Sequence, residues 1–140
     1  IPVTLIVDID GTLADDSHRQ HLIPDWDRYF DAMGEDTPHH AIVELVNAMY
    51  ESGYYVVLCT GRPDSHREDT EAWLLEHEIS HHDLRMRTAG DHRSSVEVKS
   101  DLVPDSYLEN VLFAIDDRNQ DVAMWRSRGI PCLQPRDGDF

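Results

Sequence analysis

Short apolar runs that break abruptly into polar residues recur along this chain, and they constrain its fold more than any other feature. Val3–Val7, Tyr54–Cys59 and Val111–Ile115 are rich in β-branched and aromatic residues and lack polar alternation, the pattern of strands buried on both faces. A weaker run covers Leu84–Thr88 and a short one Ile130–Leu133. Between them the apolar period changes to that of helices. Pro38 opens a helix along which Ala41, Ile42, Leu45, Val46, Met49 and Tyr50 recur at helical spacing, and Gly53 stops it as a C-cap residue does. Ala72, Trp73, Leu75 and Ile79 mark a second helix beginning at Ser65, and Val122, Met124 and Trp125 mark one over Gln120–Ser127. A further helix is expected over Ser95–Tyr107, with Pro104 as its weak point, and a short one over Pro24–Met33. Strand, helix, strand at this spacing makes parallel βαβ units. The expectation is an α/β fold in three layers, with a mainly parallel sheet of about five strands between helices. Residues 1–140 read as one domain, and residues 14–37 as a small flap with no room for a separate lid domain.

In a parallel sheet, ligands bind beyond the carboxyl ends of the strands. The residues found there are therefore the informative ones. The first run delivers Asp8 and Asp10, followed by Gly11 and Thr12; the second delivers Thr60, Gly61 and Arg62; the fourth brings Arg87; and the Val111–Ile115 run brings Asp116, Asp117 and Arg118. Carboxylates gathered in this way repel one another when ionised unless a cation joins them. A donor set of acids alone favours a hard, oxygen-loving ion, Mg2+ rather than zinc.

Lys99 is the only lysine, against eleven arginines. Solubility does not call for a single lysine, so it reads as a point charge for a phosphate and an anionic nucleophile, with a solvated helix residue as the alternative.

The balance of charge narrows the partners. Twelve basic residues against 28 acidic ones give a formal charge of −16, which opposes long-range attraction to a polyanion or an acidic membrane surface. An enzyme that touches only the end of a nucleic acid, through a few local cations, is compatible with that charge. No apolar stretch approaches the roughly 20 residues of a membrane span, so no membrane partner is expected. Cys59 and Cys132 match no metal or redox spacing and read as reduced core thiols, which fits a cytoplasmic setting. The first residue is Ile, almost on the first strand, consistent with a piece excised from a longer chain.

The Asp8-Ile9-Asp10-Gly11-Thr12 stretch after an apolar strand resembles the nucleophile motif of the haloacid dehalogenase (HAD) superfamily of phosphotransferases. Residues 114–120 (Ala-Ile-Asp-Asp-Arg-Asn-Gln), Met124-Trp125-Arg126, Gly129 and Gly138-Asp139-Phe140 are similar to the 3′-phosphatase domain of bacteriophage-type polynucleotide kinase-phosphatases. That resemblance implies a Rossmann-like HAD fold without a large cap and a Mg2+-dependent phosphatase acting on the 3′ end of DNA or RNA. Asp8 would be the nucleophile, forming an aspartyl-phosphate, and Asp10 the acid and base. Thr60 and Lys99 would hold the transferring oxygens. Asp8, Asp10 and Asp116 would serve the metal, with Asp117 as a further ligand or an orienting neighbour. Gly61, Arg19, Arg62, Arg87 and Arg118 match the positions expected around the phosphate and the nucleic-acid end. A polynucleotide kinase domain belongs to such a parent protein. It is not expected within this chain, because Lys99 follows Val98 rather than the glycine of a phosphate-binding loop.

A phosphatase of small phosphomonoesters such as nucleotides is the competing function, and a binding module that has lost catalysis is a third. Two other signals weigh less. His77–His81 spells the zinc-protease pattern HExxH, but across an expected helix end. Trp73 and Trp125 fall on apolar helix faces and read as core, which leaves Trp26, in the flap, available to stack on a base.

Overall fold

A computed structural model describes residues 2–140. β1 is Thr4–Val7, β2 Ala14–Asp15, α1 Trp26–Asp31, β3 Thr37–Pro38, α2 His40–Glu51, β4 Tyr55–Pro63 and α3 Arg67–Glu76. They are followed by β5 Asp83–Arg87, α4 Ser95–Leu102, β6 Val111–Ile115, α5 Asn119–Ser127 and β7 Cys132–Leu133. The main sheet has the order β5-β4-β1-β6-β7 and every pairing in it is parallel.

Alternation along the central strands explains the layers. Leu5 and Val7 of β1, Val56 and Leu58 of β4 and Ile115 of β6 face one way, onto Val43 and Val46 of α2 and Trp73 and Leu74 of α3. Ile6, Val57, Cys59 and Ala114 face the other way, onto Val122, Met124 and Trp125 of α5. Both faces of the sheet are thus covered, and this is why these strands carry no polar alternation. Trp73 and Trp125 are core residues, and both cysteines are buried and free.

Several boundaries differ from the sequence reading, each for a local reason. Pro38 does not open α2, because it belongs to β3, which pairs antiparallel with β2 and ties the base of the flap. α4 stops at Leu102, and Asp105–Asn110 after Pro104 winds as a 3-10 helix. Thr60-Gly61-Arg62-Pro63 is not a loop beyond β4 but its continuation, past an irregularity in the pairing with β5. α3 ends at Glu76, so His77 and His81 do not share a helix.

The winding direction reverses at β1. From β1 the chain moves to β4 and β5, and then returns across the sheet to β6 and β7. Beside this switch point, Val7 pairs with Ile115 and with Leu58, so the residues that follow, Asp8 and Asp116, leave neighbouring strands at the same height. No helix among the described residues is long and apolar enough to cross a membrane.

Candidate active site

Asp8 and Asp116 follow directly on β1 and β6, and Lys99 reaches them from α4. The Lys99 ammonium donates to Asp8 at 3.1 Å, Asp116 at 2.9 Å and Asp121 at 3.0 Å. An ammonium has three hydrogens, and here each has a carboxylate. Lys99 is only 3% exposed, so the solvated alternative does not hold. Burial alone would lower its pKa, but Asp116, Asp8 and Asp121 carry it well above the ordinary value. The Thr12 hydroxyl donates to the second oxygen of Asp8 at 3.2 Å, and the Trp125 indole donates to Asp116 at 3.1 Å.

Asp117 completes the cluster. Arg136 grips it at 2.8 and 2.9 Å and bridges to Asp16 at 2.9 Å. Gly11 permits this close approach. Its backbone sits at φ +81°, and a Cβ there would lie 2.1 Å from the Asp117 carboxylate.

Five buried carboxylates thus share two cations: Asp8, Asp116 and Asp121 pair with Lys99, and Asp16 and Asp117 with Arg136. Negative charge remains in excess. Burial pushes the Asp8 carboxyl well above the usual range, Asp116 adds to the push, and Lys99 only partly opposes it. Oxygens of Asp8, Asp116 and Asp117 lie within 4.8 Å of one another, and a divalent cation among them would discharge that excess. All the donors are carboxylates. Burial pushes the neighbouring Cys59 thiol up to about 12, and its sulfur is not among the clustered donors. The set fits a hard cation.

Asp10 faces elsewhere. Its carboxylate, expected among the metal ligands, lies outside the cluster of Asp8, Asp116 and Asp117 oxygens. It accepts from Arg62 at 2.7 Å and from Arg19 at 2.5 Å. Burial would raise its pKa, but the two guanidiniums outweigh burial and hold it well below the usual carboxylate range. Arg19 is fully buried, donating also to Asp36 at 2.6 and 2.9 Å and to the Tyr29 carbonyl at 3.1 Å. Arg62 is 1% exposed and donates to the Thr70 hydroxyl at 3.1 Å. Expected at the phosphate, both lie behind Asp10 rather than on an accessible surface. Thr60 is likewise buried, and its hydroxyl accepts from the Arg62 amide at 3.1 Å.

In front of the acids opens a cavity of about 460 Å3, lined by Asp8, Asp10, Lys99 and Asp117 and, from the predicted set, by Gly61, Arg87 and Arg118. Arg87 is braced by the carbonyls of Gly61 at 2.8 Å, Asp91 at 2.9 Å and Arg93 at 2.6 Å. Arg118 donates to the Phe140 carbonyl at 2.6 Å. Cations at the mouth and a cation-held carboxylate on the floor make a site suited to an anionic substrate.

Sequence reasoning missed several participants. Asp121 carried a signal, being an acid among the apolar residues of α5. Arg136, Asp16 and Asp36 carried none, since they come from a tail and a flap without periodicity.

A family model described as the polynucleotide kinase PNKP phosphatase domain matches residues 2–140. The structure of the Pnkp1/Rnl/Hen1 RNA repair complex contains a chain 32% identical to this one, with a TM-score of 0.86, covering 100% of this chain and 44% of that one. A second Pnkp1/Rnl/Hen1 complex gives the same identity and TM-score over 48% of its chain. This chain therefore spans just under half the length of those relatives. A haloacid dehalogenase-like hydrolase from Streptococcus pneumoniae, 14% identical with a TM-score of 0.66 over 95% of this chain and 84% of that one, shares the fold. The chain belongs to the family of polynucleotide kinase PNKP phosphatase domains, within the HAD phosphatases.

Proposed function

We propose that this protein is a Mg2+-dependent polynucleotide 3′-phosphatase that removes the terminal phosphate from DNA or RNA through an aspartyl-phosphate on Asp8. The observation that carries the reading is Asp8 itself, a buried carboxylate on the floor of an accessible cavity, oriented by Lys99 and Thr12. Its oxygen bonds to phosphorus as the bond from phosphorus to the 3′ oxygen breaks, and the departing oxygen takes a proton. Water then attacks the acyl phosphate, freeing phosphate and restoring the carboxylate. Mg2+, held by Asp8, Asp116 and Asp117, would supply electrostatic stabilisation of the charge that builds on the transferring oxygens. Arg87 and Arg118, on the accessible wall, are assigned to the phosphate and the strand end.

Asp10 suits the second half of this cycle better than the first. Between two guanidiniums it is ionised and ready to take a proton from water. To protonate the departing 3′ oxygen it must first acquire a proton, and a phosphate dianion arriving in the cavity opposes the pull of the two arginines. That substrate charge is what makes one residue serve as acid and then as base.

The small flap supports a polymer end as substrate, since the cavity is not closed by a lid. The RNA repair complex that contains the similar Pnkp1/Rnl/Hen1 chain supports it too, and we assign to the parent protein a polynucleotide kinase domain. Buried free thiols support a cytoplasmic setting. One observation favours a small phosphomonoester instead, the charge of −16. Phosphate release from an oligonucleotide 3′-phosphate and from a 3′-mononucleotide, compared under the same conditions with DNA and RNA, decides between them. The polynucleotide is expected to be preferred; equal or better use of the mononucleotide would reject the reading.

A further inference from the structure

Of the eleven Trp, Tyr and Phe residues, only Trp26 and Phe140 are exposed, at 39% and 40%. Both line the cavity in front of Asp8. They come from distant parts of the sequence, one from the flap and one from the tail, and a single guanidinium connects them. The Arg118 guanidinium carbon lies 5.9 Å from the Trp26 ring centre and 5.6 Å from that of Phe140.

Neither ring is there by default. Trp26 is propped from behind by Tyr29, edge-on at 5.4 Å, and by Phe30, stacked at 6.0 Å. Phe140 is fixed through its backbone. Arg118 donates to its carbonyl at 2.6 Å, and the Asn119 amide donates to the Gly138 carbonyl at 2.8 Å. Gly138 lets the tail lie flat against the strand end that carries Asp117, because a Cβ at that position would fall 1.7 Å from the Asp117 carbonyl oxygen. Leaving two large aromatic faces in water while bracing both of them costs hydrophobic burial, and a stacking ligand would recover it.

We infer that Trp26 and Phe140, with Arg118 between them, form a subsite for the nucleobase of the 3′-terminal nucleotide, beside the phosphate site at Asp8. This rests on the polynucleotide 3′-phosphatase reading and states how the strand end is held. Recognition is by ring faces, which every base offers, so the subsite is indifferent to base identity. It also reconciles binding of a polyanion with the acidic chain. Affinity is drawn from one stacked base and the local cations rather than from a long basic track.

The test compares two oligonucleotide 3′-phosphates that differ only at the last sugar, one carrying its base and the other abasic. For the unmodified protein the subsite predicts a KM for the abasic end higher by about tenfold, the loss of one base–aromatic stack. Trp26→Ala and Phe140→Ala should each shrink that ratio, and the double variant should bring it close to one. Equal KM for both ends in the unmodified protein, a comparison that needs no variant, overturns the subsite while leaving the phosphatase reading intact. A full ratio retained in the double variant also overturns it. Release of phosphate from a 3′-mononucleotide but from neither oligonucleotide rejects the phosphatase reading itself, and the subsite with it.

Discussion

The sheet side of the site and the flap side treat like residues in opposite ways. Asp8 and Asp10 leave the same strand two positions apart, yet Asp8 sits among acids with one lysine, while Asp10 sits between two arginines. Burial and neighbouring carboxylates push the first well above the usual carboxylate range; the second is held well below it. The difference teaches that one turn of backbone is enough to separate two chemical roles, provided that each carboxylate is handed to a different structural layer. On the sheet side the partners are delivered by regular elements, β1, β6, α4 and α5. On the flap side Arg19 and Asp36 come from irregular chain, Tyr29 from the short α1 and Arg62 from the end of β4.

The comparison can be broken first at Asp8. Asp8→Asn removes the proposed nucleophile at nearly constant volume and should lower kcat by a factor of about 10,000 or more, with a circular dichroism spectrum like that of the unmodified protein. Turnover near the original would move the nucleophile elsewhere. On the flap side the largest effect concerns stability. Arg19→Met leaves Asp10 and Asp36 buried with a lost partner and should cost about 3–5 kcal/mol in urea unfolding. A loss below about 1 kcal/mol would mean that Arg62 alone holds Asp10.

A smaller effect distinguishes the two sides directly. Mg2+ at a hundredfold excess over its dissociation constant should stabilise the protein by about 2.7 kcal/mol. Asp116→Asn should abolish this shift and Asp10→Asn should largely keep it; the reverse pattern would put the ion on the flap side. The smallest effect is the acid slope. Because its folded pKa is depressed, Asp10 contributes stability that is present above its ordinary value near 3.8 and is lost as the pH falls through the folded value. Below about pH 4 the unmodified protein should therefore lose stability more steeply than Asp10→Asn, by up to about 1.4 kcal/mol per pH unit. Parallel slopes would mean that Asp10 is not held by the arginines in solution.

The same division explains what could be read from the sequence. The five strands and their parallel order follow from apolar runs alternating with helical periods, and the meeting of Asp8, Asp116 and Asp117 follows from strand ends sharing one edge. Lys99 stood out by being alone. The destination of Arg19 and Arg62 was not legible, because a long guanidinium arm reaches several places and their acceptors lie on other segments. Asp36 sits in a flap with no repeating pattern, and Arg136 in a tail with none, so their partners exist only once the chain is folded. Trp26 stood out as an aromatic outside the apolar helix faces, but its pairing with Phe140 depends on a tail held down through Gly138.

The central claim is that Asp8 takes the phosphoryl group from a polynucleotide 3′ end. It is tested most directly by mixing the Asp10→Asn variant, in which the proposed activation of water is removed, with an oligonucleotide carrying a radiolabelled 3′-phosphate, quenching in acid and mapping the labelled peptide. The account predicts label on the peptide that contains Asp8, absent when Asp8→Asn is added. Label on another residue, or a labelled peptide that persists without the Asp8 carboxylate, would contradict it.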